Sequence, residues 1–88
     1  MAGYSQGGQI VHNAARLLTA PMVERVGSTV VFGDPNYPAM VIGVPASQQL
    51  VKCHDTDDIC AGGDLIRLSH LTYAVDVDQA AAFVVGRL

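Results

Sequence analysis

Charge is scarce in these 88 residues: 15% are Asp, Glu, Lys or Arg, and the formal balance is −3. With no basic stripe, the chain does not read as a partner of nucleic acid. No run of 18 apolar residues occurs, so no segment of this sequence is expected to span a membrane. The first residues lack a basic segment followed by an apolar stretch and a cleavage site, so no secretion signal is read here. There is no internal repeat. Cysteine is limited to Cys53 and Cys60, seven apart around a polar loop. They are either a reduced pair or a disulfide, and a disulfide implies an oxidising compartment. In the second case the secretion signal is expected upstream of these residues. Half of the chain is hydrophobic, while a domain of this size buries only roughly 60–65% of its unfolded surface. Such a chain is expected to pack against something or to belong to a larger core.

Periodicity divides the rest. Residues 8–19 read as a helix, with Ile10, Ala14, Leu17 and Leu18 as the apolar set and Gln9, His12, Asn13 and Arg16 between them. Pro21 ends that helix or starts the next short turn. Residues 27–33 form a β-branched run between glycines, the look of a strand buried on both faces of a parallel sheet. Residues 34–47 hold Pro35, Pro38 and Pro45 and read as a surface connection. Residues 49–53 read as a second strand, 54–63 as an acidic loop and 65–68 as a brief helical turn. Residues 78–88 read as a final helix, with Ala81, Val84, Val85 and Leu88 on one side. Helix, strand, strand, loop, helix is the back half of a doubly wound α/β sheet. Met22 and Met40 are expected as core or gap fillers, and Tyr37 and Tyr73 as amphipathic rim residues.

Chemistry begins at Gly3-Tyr4-Ser5-Gln6-Gly7. Gly-x-Ser-x-Gly is the nucleophile elbow of α/β-hydrolases, a strained turn between a strand and a helix. Both glycines are expected there because Cβ atoms beside the serine would clash with strand and helix. Only Met1 and Ala2 precede the motif, so the strand before the elbow is expected to be missing. The run 27–33 would then be left as an exposed sheet edge prone to self-association. In this fold the order is Ser, acid, His. His12 precedes every aspartate and reads as a surface or groove residue. His54 could serve only with Asp34, which itself reads as a strand-end turn residue. His70 follows all the loop aspartates. The acid should follow the second strand after the elbow, which leaves Asp55, Asp57 and Asp58 open, with Ser5 as nucleophile and His70 as base. The backbone N–H of Gln6 would face a developing oxyanion, and a second donor normally comes from an earlier loop.

Taken together, Gly-Tyr-Ser-Gln-Gly-Gly at 3–8, Val30-Val31-Phe32-Gly33, the Cys53–Cys60 loop and His70-Leu71-Thr72-Tyr73 resemble the fungal cutinases over nearly the whole chain. The resemblance implies that the acid lies four residues after the first loop cysteine and three before the second, which is Asp57. It places the base ten residues beyond the second cysteine, at His70, and pairs Cys53 with Cys60 around the acid. It implies residues 1–88 as the C-terminal half of a three-layer α/β-hydrolase sandwich, with N-terminal strands and signal peptide elsewhere.

The implied activity is hydrolysis of cutin and related carboxylic esters through an acyl-enzyme, in a secreted protein needing no cofactor and no metal. Two alternatives stand beside it: a truncated, non-catalytic fragment, and an acetyl ester hydrolase acting on polysaccharide. The apolar stretch 40–44 is a candidate rim for an acyl chain, with ordinary packing as the equal alternative.

Overall fold

A computed structural model describes residues 1–63 and 65–87. Three parallel strands, β1 (Ala2–Tyr4), β2 (Thr29–Phe32) and β3 (Gln49–Lys52), lie side by side in chain order. Ala2 pairs with Val30, and Val30 with Leu50. The strand before the elbow is therefore present, contrary to expectation. Its three residues overlap the motif itself, and Val30 N–H donates to Met1 O at 2.9 Å to extend the pairing. β2 is the central strand and not an edge, so residues 27–33 form no open edge; β1 and β3 flank it. Thr29, Val30 and Val31 are buried, as a strand covered on both faces requires.

Side chains alternate across this sheet. On one face, Val31 packs with Val11 and Ala15 of helix α1 (Gln6–Leu17) and with Val41 and Val44, while Val51 borders the cluster. On the other face, Phe32 and Tyr4 approach Tyr73. The connection 34–47 is thus not wholly superficial, since Val41 and Val44 belong to the core. Gln49 ties this connection down, exchanging hydrogen bonds with the backbone of Val41 and donating to Val44 O.

Helix α1 turns a different face inward from the one periodicity suggested. Its buried residues are Gly8, Val11, His12 and Ala15, whereas Ile10 and Leu17 are 67% and 86% exposed. The reason is the close crossing at Gly3 and Gly8: a stripe of small residues and a valine lets the helix start lie against the strand. His12 is buried, not superficial, because its Nε2 is 2.5 Å from Asp34 Oδ2 and both side chains are sealed from solvent. Asp34 also accepts from Asn36 N–H, so it closes a turn and satisfies the histidine at once. The helix stops where Leu18 becomes extended, three residues before Pro21.

A short helix α2 (Ala20–Val23) follows; Met22 and Met40 are exposed and fill no core gap. The turn expected at 65–68 lies instead at helix α3 (Leu68–Leu71), which carries His70. A 3-10 turn at Tyr73–Asp76 leads into helix α4 (Val77–Val85). That helix buries Ala80 and half-buries Phe83 and Val84, while Ala81 and Val85 face solvent. Leu88, expected on its apolar side, lies outside the described residues.

Candidate active site

All the groups of interest gather at the carboxyl ends of the three strands. Ser5 follows β1 directly, and its backbone has φ 55° and ψ −121°, a region L-residues rarely occupy. Two backbone bonds hold it there: Ser5 N–H donates to Phe32 O, and Gly8 N–H donates to Ser5 O, both at 2.9 Å. Of the two flanking glycines only one is sterically required. A Cβ on Gly3 would lie 2.3 Å from the Gly7 carbonyl oxygen, whereas one on Gly7 would meet nothing within 4 Å. The expectation that both glycines relieve a clash therefore holds for Gly3 alone.

Ser5, Asp57 and His70 come together. Ser5 Oγ is 3.0 Å from His70 Nε2, and His70 Nδ1 is 2.7 Å from Asp57 Oδ2. The carboxylate can only accept, so Nδ1 carries the proton and Nε2 is left to accept from the serine hydroxyl. His70 and Asp57 are both buried. The imidazole is fixed from above as well: the Tyr4 ring stacks on it at 5.1 Å, and Tyr4 OH donates to His70 O at 2.7 Å. Asp55 and Asp58 take no part. Asp55 is exposed, and Asp58 Oδ2 accepts from Leu65 N–H.

Burial pushes the Asp57 carboxyl up, but hydrogen bonds from Tyr73 OH, His70 and Ile59 N–H outweigh it and leave the group below its usual value. The Tyr73 phenol is driven above its usual range, by burial first and then by its bond to Asp57. Tyr73 is therefore no rim residue: it is buried, and its hydroxyl reaches Asp57 Oδ2 at 2.6 Å. Tyr37, by contrast, is exposed as expected.

Three neighbours of this cluster had their contacts unforeseen in the sequence. Tyr73 is one. Gly33 is the second: it has φ +57°, and a Cβ there would lie 2.7 Å from two atoms of the His70 ring and 3.0 Å from Asp57 Oδ2. The glycine had served only as a strand boundary. His54 is the third. It does not meet Asp34; its Nε2 is 2.7 Å from Asp76 Oδ2 and its Nδ1 2.6 Å from Ser69 O. Two acceptors facing two ring nitrogens call for a doubly protonated ring. Its pKa is raised accordingly, chiefly by the bond to Asp76 and against the opposing effect of burial.

Cys53 and Cys60 form a disulfide with Cα atoms 6.1 Å apart, bracketing Asp57. Gln6 opens α1, so its N–H has no acceptor within the helix. Over Ser5 lies an open cavity of about 540 Å³ bordered by Tyr4, Gln6, Pro35, Ile59 and Ile66. Residues 40–44 do not border it; Ile42 and Gly43 line a separate hollow beside Val23. Among the described residues, no group of three or more His, Cys, Asp or Glu is placed to hold a metal ion. Among the same residues, no helix is long and apolar enough to cross a membrane.

Comparison with known proteins gives this geometry a context. The family model for cutinase matches residues 1–88. The cutinase of Hypocrea jecorina (strain QM6a) is 54% identical over 85 residues, covering 97% of this chain and 34% of that protein. The cutinase of Botryotinia fuckeliana is 54% identical over 84 residues, covering 96% and 42%. Cutinase CUT1 of Coprinopsis cinerea is 39% identical over the full 88 residues and 44% of its own length. The chain thus spans between about a third and less than half of the curated relatives it matches. A solved structure of Trichoderma reesei cutinase in complex with a C11Y4 phosphonate inhibitor superposes with a TM-score of 0.93 at 54% identity, over 97% of this chain and 39% of that one. The architecture is accordingly that of the α/β-hydrolases. On the strength of a family match over residues 1–88 and of relatives 54% identical to it over nearly its whole length, this chain belongs to the cutinase family.

Proposed function

We propose that residues 1–88 carry the catalytic machinery of a cutinase-type carboxylic ester hydrolase, with Ser5 as nucleophile, His70 as general base and acid, and Asp57 as its orienting partner. The observation that supports this most is the unbroken chain from Ser5 Oγ through His70 to Asp57, with the serine held at positive φ.

His70 Nε2 takes the proton from Ser5 Oγ as the oxygen attacks the ester carbonyl carbon. Asp57 stabilises the imidazolium without taking its proton. The free Gln6 N–H faces the oxygen on which charge develops, and one such donor is worth about 2.7–4 kcal/mol of transition-state stabilisation. Collapse of the tetrahedral adduct breaks the C–O bond to the alcohol, which leaves with the proton from His70. Water then gives a proton to His70 and attacks the acyl-serine; the acid departs and Ser5 regains its proton.

Ile59 and Ile66 beside Ser5 suit an acyl chain or a lipid-like polyester such as cutin. The disulfide suits an extracellular location, where such bonds persist. Self-association is proposed through the flanking strands β1 and β3, each paired on one side among the described residues. Size-exclusion chromatography with light scattering reads it, and a strictly monomeric chain would refute it.

The test of the chemistry pairs turnover with labelling. Purified chain should hydrolyse a short-chain p-nitrophenyl ester and be labelled by a serine-directed phosphonate. Ser5→Ala should abolish both, with a loss on the order of 10⁴-fold or more in turnover. A chain that neither turns over nor labels would overturn the proposal. Turnover of acetylated polysaccharide with none of polyester by the full-length protein would favour an acetyl ester hydrolase instead.

A further inference from the structure

We propose that Tyr73, clamped by His54, is a positioning residue that holds Asp57 in line with His70. The inference deepens the reading of Ser5, His70 and Asp57 as catalytic and rests on it.

Asp57 lies in a loop, between the turn at His54 and the disulfide-bonded Cys60, with no strand or helix to aim it. Its direction depends on its hydrogen bonds. Oδ1 accepts Ile59 N–H at 3.0 Å, and Oδ2 accepts two donors, His70 Nδ1 at 2.7 Å and Tyr73 OH at 2.6 Å. The phenol therefore shares the one oxygen that orients the histidine. Its own proton is directed there, because its oxygen is already occupied as acceptor by His54 N–H at 2.9 Å.

The ring cannot easily leave. His54 stacks on it at 4.0 Å with planes 18° apart, and Phe32 and Tyr4 lie at 5.9 and 6.1 Å. His54 is held in turn from both ring nitrogens, by Ser69 O, next to His70, and by Asp76, three residues beyond Tyr73. The clamp thus joins the acid loop to the segment that carries the base. Without the hydroxyl, Oδ2 keeps one donor, and only His70 Nδ1 and Ile59 N–H remain to resist rotation of the carboxylate about its Cβ–Cγ bond. The charge on the remaining contact also becomes more concentrated.

Tyr73→Phe keeps the ring and removes the donor. It should lower kcat about 10-fold on a p-nitrophenyl ester while leaving KM within about twofold, as loss of one hydrogen bond to a charged group predicts. The acid limb of the pH–activity profile should move to higher pH. The Asp57 carboxyl resonance, followed by ¹³C NMR, should titrate at higher pH than in the unmodified chain. Unchanged kcat together with an unmoved Asp57 midpoint would overturn the proposal.

The NMR midpoint is readable without turnover, so it decides the role of Tyr73 even where absence of phosphonate labelling has sunk the serine-esterase reading. Should Tyr73→Phe fail to fold, Tyr73→3-fluorotyrosine retains the donor and makes it more acidic. That variant should keep activity and move the Asp57 midpoint down; a midpoint that stays put refutes the role.

Discussion

At the scale of single residues, the space beside His70 is reserved by an atom that is not there. Gly33 sits at φ +57° with its hydrogen aimed at the imidazole and at Asp57. Gly33→Ala should cost about 1 kcal/mol of backbone strain and also push the ring from its place. A shift of about 1 Å in a reacting group lowers rates on the order of 100-fold. The expected outcome is therefore a modest drop in thermal midpoint with a disproportionate loss of kcat, read by calorimetry beside an esterase assay. Equal losses in Gly33→Ala and in a variant at the unobstructed Gly7 would refute the steric account. Much of the site was legible at this scale. Ser5 was marked by its flanking motif and His70 by chain order, while only the resemblance to cutinases separated Asp57 from Asp55 and Asp58. Tyr73 and Gly33 were not marked, because one reads as any amphipathic aromatic and the other as a strand terminator. Only three-dimensional proximity gives either of them a task.

Among elements, the hardest thing to read was which face of a helix turns inward. The 3.6-residue period of α1 admits two apolar stripes, and the larger residues Ile10 and Leu17 suggested the wrong one. What decides is closeness to the strand at Gly3 and the His12–Asp34 pair, a long-range partnership that no local window contains. Strand positions were easier, since the β-branched run around Val30 and Val31 suits nothing but a covered strand. Another His–Asp contact, His54 with Asp76, joins the acid loop to the 3-10 turn, with Lys52 Nζ at 3.9 Å from the same carboxylate. The folded state raises the His54 pKa, so the stability this contact adds is fully present below the unfolded value of about 6.5. It fades as pH climbs through the folded value. The pair is partly open to solvent, with side-chain exposures of 24% and 16%. Its worth is thus held to about 1 kcal/mol or less. Chemical denaturation of the unmodified chain and of His54→Asn should differ most near pH 6 and converge toward pH 9. A difference that grows with pH would contradict the assignment.

For the whole molecule, stability leans on few supports. Its 88 residues extend over 38 × 26 × 16 Å, a flattened shape with many apolar side chains at the surface. The disulfide is one of those supports. A loop with a sequence separation of 7 contributes on the order of 2 kcal/mol in the chain-entropy view, and each kcal/mol moves the midpoint of a domain this size by about 4–8 °C. Reduction should thus lower the thermal midpoint by roughly 10 °C, and a scan with and without reductant checks it. No change would mean that the acid loop is held by other bonds, those of Tyr73 first among them. The chain of contacts from Ser5 to His70 has one more consequence, for time and not for energy. Ser5 and His70 are 65 positions apart, while His70 and Asp57 are 13 apart. A ribosome releases the serine well before the histidine, and contacts so distant in sequence slow folding because the loop between them must first be closed. The hydroxyl at the elbow thus emerges as an ordinary alcohol and waits for a partner that is made 65 positions later.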